Sequence, residues 1–255
     1  MTLDQFFKEH PRVALAFSGG VDSAYLLWTG VQAGAEVRPY FVKTPFQPQF
    51  ELEDARRLCA QLGVGLEVIR FDVLTAPEVA ANPADRCYHC KKRLFSLLRE
   101  RSAADGFPLL LDGTNASDDA GDRPGMRALR ELEVRSPLRE CGLTKGQIRE
   151  QSKQAGLFTW DKPSYACLAT RVPTGRTITQ DDLEKVERGE TALSGLGFWD
   201  FRLRLTQNGC KLQVTENQFP LVLERRADIL AILAPLFPEI TLDLHPRAVR
   251  DYTFS

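Results

Sequence analysis

Two constellations in this chain have residue types and spacing that can do chemistry. The first is SGGVDS at residues 18–23, set between the apolar run Val13–Phe17 and the apolar stretch that begins at Ala24. Gly19 and Gly20 permit a tight turn and close backbone approach, while Ser18 and Ser23 offer hydroxyls beside a helix N-terminus that favours anions. Val21 lies between the glycines and Asp22, a carboxylate able to hold Mg²⁺ or to position a nucleotide. No lysine follows, so the segment is neither GxxxxGK[ST] nor GxGxxG. The competing reading is a glycine turn with an N-cap serine, common in βα units. The full hexapeptide between strand and helix favours phosphate.

The second constellation is made of cysteines. Cys87 and Cys90, in RCYHCKK, stand three apart at the start of a helix, close enough for both sulfurs to reach one metal or cluster. The helix N-terminus with Arg86, Lys91 and Lys92 is expected to favour thiolates. Cys167 lies in PSYACLATRVPTGRTIT, a long loop expected over the C-terminal edge of a sheet. Folded back toward Cys87 and Cys90, it would complete three ligands of a [4Fe-4S] cluster whose open iron can bind sulfide. A redox dithiol, or half a zinc site completed by His89, is the alternative for the CxxC pair. For Cys167 the alternatives are a lone nucleophile and a small buried hydrophobe. Cys59, beside Leu58 and Leu62, reads as core; Cys141 and Cys210 have no evident partners.

The elements that must position these residues follow from periodicity. Strands are expected at Val13–Phe17, Glu36–Lys43, Leu66–Phe71 and Leu109–Asp112, with helices at Asp22–Ala33, Phe50–Leu62, within 85–103 and at Lys145–Ala155. Successive αβ units imply a parallel sheet with right-handed crossovers. After residue 175 the rhythm changes to a smaller α+β pattern. It has helices at Asp181–Leu193 and Arg225–Leu233 and strands at Phe201–Leu205, Leu212–Thr215 and Ile240–Leu244. The expected division is 1–175 and 176–255. A formal net charge of −1 argues neither for nor against nucleic acid. No charged apolar leader or membrane-length apolar run is visible, so a cytoplasmic protein without membrane contact is expected.

SGGVDS resembles the PP-loop of the ATP pyrophosphatase superfamily, whose members adenylate a substrate and release pyrophosphate. The wider set AFSGGVDS, RCYHCKK, LLDGTNASDD, RSPL at 135–138, KPSYACLATR and TLDL at 241–244 is similar to the LarE family of ATP-dependent sulfur transferases. That resemblance implies an α/β PP-loop domain followed by a small α+β substrate and oligomerisation domain. It also implies ATP, Mg²⁺ and a [4Fe-4S] cluster as cofactors, and a homo-oligomer. The implied substrate is pyridinium-3,5-biscarboxylic acid mononucleotide, a carboxylate of which is adenylated before sulfur enters, in nickel-pincer nucleotide biosynthesis.

Carried over residue by residue, the nucleotide set is Ser18, Gly19, Gly20, Val21, Asp22, Ser23, Thr44 and Asp118. Cys167, Asp22 and Arg171 form the catalytic set, and Cys87, Cys90 and Cys167 the cluster ligands. Arg202 and Arg204 match a substrate-phosphate pair, and Glu187 and Asp243 a divalent-ion site. Arg202 and Arg204 also read as a solvated strand face alternating with Phe201, Leu203 and Leu205. Lys162 is a further phosphate or carboxylate contact, while Asp112, Asn115 and Asp118 read equally as turn and capping residues. The chain departs from the family pattern after TLDL, where HPRAVRDY replaces a Gly-aromatic-Arg segment, and after Arg204, where Leu205 and Thr206 stand in place of a histidine. A tRNA-thiolating PP-loop enzyme, or a non-catalytic sensor of ATP or redox state, is the alternative function.

Overall fold

A computed structural model describes residues 1–118 and 124–248. The chain opens with α1 (Leu3–Glu9), β1 (Arg12–Ala16), α2 (Val21–Gln32), β2 (Glu36–Lys43), α3 (Gln49–Gln61) and β3 (Glu67–Arg70). Next come α4 (Pro77–Ala80), α5 (Arg86–Ala104), β4 (Leu110–Leu111), α6 (Pro124–Glu131), α7 (Pro137–Glu140) and α8 (Lys145–Gln154). The remainder holds α9 (Gln180–Gly195), β5 (Arg202–Leu205), β6 (Gly209–Gln213), α10 (Phe219–Glu224), α11 (Arg226–Leu233) and β7 (Glu239–Leu242).

Two compact units result: Met1–Asp72 with Asp85–Lys162, and Val73–Ala84 with the chain from Pro163. The first contains a fully parallel sheet in the order β3-β2-β1-β4. Val13 and Leu15 of β1 enter one apolar cluster with Phe6, Leu26 and Leu58, whereas Ala14 enters another with Tyr40, Leu98 and Phe107. Both faces of β1 are therefore covered, and this is why Val13–Phe17 reads as a continuous apolar run rather than an alternating one. Capping boxes start α1 at Thr2 with Gln5 and α8 at Thr144 with Gln147. In the second unit β5 pairs antiparallel with β6, and β6 parallel with β7.

The division differs from the expected boundary at 175. The Asn82 amide donates to the Pro173 carbonyl at 2.8 Å, and the Gly175 and Ile178 amides donate to the Asn82 and Ala80 carbonyls, each at 2.8 Å. Residues 73–84 are thereby tied to the loop containing Cys167, and the break falls at Lys162 and Pro163. The region after β4, where no helix is expected before Lys145, contains α6 and α7, and the helix expected at Arg225–Leu233 is present as α11, preceded by the additional α10. Asp119 and the divergent end from Val249 onward lie outside the described residues.

Candidate functional site

In the first unit SGGVDS is the turn from β1 to α2, at the C-terminal edge of the sheet. Gly19 has φ +70°, and a Cβ there would stand 3.1 Å from the Glu51 carbonyl and 3.3 Å from the Ala55 amide of α3. Only glycine meets both conditions without strain. The Ser18 and Ser23 hydroxyls are 3.1 Å apart, the Gly20 amide donates to Ser18 Oγ at 3.4 Å, and Ser23 Oγ donates to the Gly20 carbonyl at 3.3 Å. Gly20 is the N-cap of α2 and makes no side-chain capping bond, which leaves this helix start suited to an external anion. Thr44, buried just beyond β2, shares the sheet edge and bonds through its hydroxyl to Gln47 and the Phe46 amide.

The exit from β4 is pressed against the same helix start. A Cβ on Gly113 would lie 3.0 Å from the Ser23 amide nitrogen, so this glycine permits the approach. Asn115 then donates to Asp22 Oδ1 at 3.2 Å. Asp22 Oδ2 is ion-paired with Lys145 from the first turn of α8. Burial pushes the Asp22 carboxyl above its ordinary range, with Lys145 pulling the other way and Asp118 adding to the rise. Exposed Asp118 accepts the Asn115 amide at 2.9 Å, and Asp112 accepts from Thr114 and Ser136. Lys162 reaches the far side of the loop, 2.6 Å from Asp54 and 3.4 Å from the Gly19 carbonyl.

Cys87 and Cys90 occupy the first turn of α5, Cys87 exposed and Cys90 half-buried. Arg86 Nη2 lies 3.7 Å from Cys87 Sγ. Lys92, expected beside these thiols, instead donates to Tyr88 and Glu131, each at 3.0 Å. Among the described residues no group of three or more His, Cys, Asp or Glu side chains is gathered as a metal ion would require.

In the second unit Cys167 caps a short 3-10 turn, Leu168–Arg171. Arg171, expected to contact substrate, is 1% exposed. Its Nε and Nη2 donate to the two Glu190 carboxylate oxygens at 2.8 and 3.0 Å, and Nη1 donates to the Ala166 carbonyl and Thr170 Oγ1 at 2.9 and 2.8 Å. Here Arg171 ties the Ala166 and Cys167 carbonyls to the Thr170 side chain around the cysteine. Glu190 also accepts from Tyr165 and from the Leu203 amide, at 2.8 Å for the latter.

Arg202 and Arg204 are not a solvated strand face. Arg202 is buried and donates to the Ser164 and Phe201 carbonyls, each at 2.6 Å, and Arg204 donates to the Thr170 carbonyl at 2.7 Å. Burial, then the nearby cations Arg171 and Arg247, push the Arg202 guanidinium down to about 10 and lower Arg204 as well. A guanidinium whose pKa is lowered by burial and by neighbouring cations favours an anion beside it. Asp243 is held by Gln213 at 2.7 Å, Lys211 at 2.9 Å and the His245 amide at 3.2 Å, which drive its carboxyl down to about 2. Glu187 is half-buried on α9.

Sequence reasoning missed Lys145, Asp54, Gly113 and Glu190. Only Glu190 left a signal: a carboxylate on the stripe Leu183, Val186, Glu190, Leu193, where an apolar residue is expected.

A parallel αβ sheet whose first strand ends in a lysine-free SGGVDS turn defines a PP-loop nucleotide-binding protein. No family model matches the chain. It is 36% identical over 217 residues to an uncharacterized protein of Synechocystis, covering 85% of this chain and 81% of that one. It is 30% identical over 246 residues to the pyridinium-3,5-bisthiocarboxylic acid mononucleotide synthase of Lactiplantibacillus plantarum, covering 95% and 89%. A tRNA-specific 2-thiouridylase of Corynebacterium glutamicum is 30% identical over 206 residues, but only 65% of this chain and 56% of that protein are covered. The chain belongs to the pyridinium-3,5-bisthiocarboxylic acid mononucleotide synthase family, that of LarE, and is an enzyme of the sulfurtransferase type.

Proposed function

We propose that this enzyme adenylates a carboxylate of pyridinium-3,5-biscarboxylic acid mononucleotide, releases pyrophosphate and inserts sulfur, in nickel-pincer nucleotide biosynthesis. The observation that carries this reading is the match to the Lactiplantibacillus synthase, which runs through both units, from the SGGVDS turn to the cysteine loop and the arginine strand. A carboxylate oxygen of the substrate attacks the α-phosphorus of ATP. The bond to the β-phosphate oxygen breaks, and its electron pair leaves with pyrophosphate. The start of α2, with the Ser18 and Ser23 hydroxyls, receives the phosphates. Mg²⁺ accompanying the nucleotide would supply further charge neutralisation, and Asp22 is the carboxylate of the turn that would hold it. A sulfur nucleophile then attacks the acyl carbon, and the C–O bond to AMP breaks.

Arg202 and Arg204 are assigned to the substrate phosphate, and the lowering of both pKa values by burial and then by the nearby cations Arg171 and Arg247 supports that role. Glu187 and Asp243 are assigned to a divalent ion, although Asp243 is engaged by Lys211 and Gln213. Two sulfur sources match the residues. Cys167 can give up its own sulfur and become dehydroalanine, or Cys87, Cys90 and Cys167 can hold a [4Fe-4S] cluster. The spacing of Cys87 and Cys90 suits two cluster ligands, and a cluster requires Cys167 to join them. Among the described residues no helix is long and apolar enough to cross a membrane, and a cytoplasmic site of action is part of the proposal. Exposed Leu223, Leu230 and Leu244 support a homo-oligomer.

The test is pyrophosphate release and oxygen-to-sulfur exchange on the substrate, followed by mass spectrometry, in wild type and Cys167→Ala. It is paired with iron and sulfide analysis of anaerobically purified protein. Release of pyrophosphate without sulfur insertion in the variant is the expected result. Absence of substrate-dependent pyrophosphate release in wild type would overturn the reading. Iron lost in both Cys87→Ala and Cys167→Ala supports the cluster, whereas dehydroalanine at 167 after turnover of an iron-free protein supports Cys167 as donor.

A further inference from the structure

The SGGVDS turn lacks the lysine that follows the glycines in GxxxxGK[ST] loops and reaches the phosphates there. A lysine stands at this turn nonetheless, delivered from far along the chain. Lys145 begins α8, its ammonium is ion-paired with Asp22, and its side chain is 11% exposed. Its position is set by a closed ring of bonds. Asn115 donates to Asp22 at 3.2 Å, the Ser117 amide donates to Asn115 Oδ1 at 2.8 Å, and the Lys145 amide donates to Ser117 Oγ at 2.9 Å. The ring joins the start of α2, the exit loop of β4 and the start of α8, three elements of the first unit.

Asp22 has both oxygens engaged, one by the ammonium and one by Asn115. Lys162, the other lysine at the turn, is held at its back by Asp54 and the Gly19 carbonyl. Lys145 is therefore the ammonium placed on the α2 side, where the uncapped helix start accepts an anion.

We infer that Lys145 is the phosphate-directed cation of this site, supplied by α8 instead of by the loop, and that it binds the β- and γ-phosphates of ATP. This rests on the ATP reading above. Nucleotide binding moves the ammonium from the Asp22 carboxylate to a non-bridging phosphate oxygen. The ammonium stays protonated throughout and neutralises the charge that grows on pyrophosphate as the α-phosphorus–oxygen bond breaks. Its contact is confined to the part of ATP that AMP lacks, so it discriminates between the two.

The test measures affinity for ATP, inorganic pyrophosphate and AMP by calorimetry in chelator, on the full chain, for wild type, Lys145→Met and Lys145→Arg. Loss of one charge-assisted hydrogen bond predicts that Lys145→Met binds ATP and pyrophosphate about tenfold or more weakly, with AMP affinity within about twofold of wild type. Lys145→Arg, which keeps the charge and the pairing with Asp22, is expected to recover most of the loss. Equal weakening of AMP and ATP in Lys145→Met, or no weakening of either, would overturn the assignment. If Lys145→Met fails to fold, Lys145→Gln, which removes the charge but keeps a donor toward Asp22, decides: ATP and pyrophosphate weakened about tenfold with AMP unchanged upholds the assignment, and wild-type binding of all three refutes it. A wild-type protein that binds neither ATP nor pyrophosphate overturns the ATP reading together with this role; wild-type binding matched by the variant overturns this role only.

Discussion

Removing the Glu190 carboxylate should unfold the second unit more readily than any surface change on the same helix. The carboxylate is 7% exposed and the Arg171 side chain 1% exposed, and Glu190 receives donors from Arg171 Nε and Nη2, Tyr165 and the Leu203 amide. In Arg171 burial opposes the charge, yet the bond to and attraction of Glu190 prevail, so its pKa is raised. Glu190→Ala leaves that guanidinium buried without its counter-charge, a change that costs about 3–5 kcal/mol. At a urea dependence of about 2 kcal/mol per molar, the midpoint should fall by about 2 M. Urea unfolding followed by circular dichroism reads this directly, and Glu184→Ala, exposed on the same helix, should stay within about 0.5 kcal/mol of wild type. Arg171 also holds Ala166 and Thr170, so amide exchange across 166–171 should accelerate in Glu190→Ala under native conditions. Equal midpoints for the two variants, with unchanged exchange at the cysteine loop, would refute the buried pair as the support of Cys167.

Two further outcomes are expected. Asp243, whose folded-state pKa is lowered from 3.8 to about 2, contributes stability that is present above 3.8 and is lost as pH falls toward 2. The difference in unfolding midpoint between wild type and Asp243→Asn should therefore shrink to nothing across that window, and a difference that persists below it would exclude the carboxylate as the cause. Burial pushes the Cys59 and Cys210 thiols up to about 12, whereas Cys87 is exposed. Brief alkylation of native protein, mapped by mass spectrometry, should label Cys87 and spare Cys59 and Cys210; labelling of either buried thiol ahead of Cys87 would contradict the packing.

The sequence by itself determined the phosphate turn, the strand and helix succession around it and the family. Each of these is written in local terms: a glycine that a positive φ demands, apolar runs at β1 and β2, and helices marked by apolar spacing. Glu36–Lys43 is a strand with the bounds expected, and Cys59 is core as its helical face implied. Tertiary structure alone decided how the charged residues are used. Arg202 and Arg204 alternate with leucines as a solvated face would, yet the loop around Cys167 covers them, and strand periodicity carries no information on what packs above a face. Lys145 reads as an ordinary first-turn residue of a helix. Its approach to Asp22 depends on Gly113 letting the β4 exit touch α2, a contact between segments distant in the chain. Residues 73–84 join the second unit through hydrogen bonds to 173–178, formed with main-chain groups that every residue type carries. Pairings over long sequence separations are set by packing and backbone geometry, and local residue spacing does not encode them.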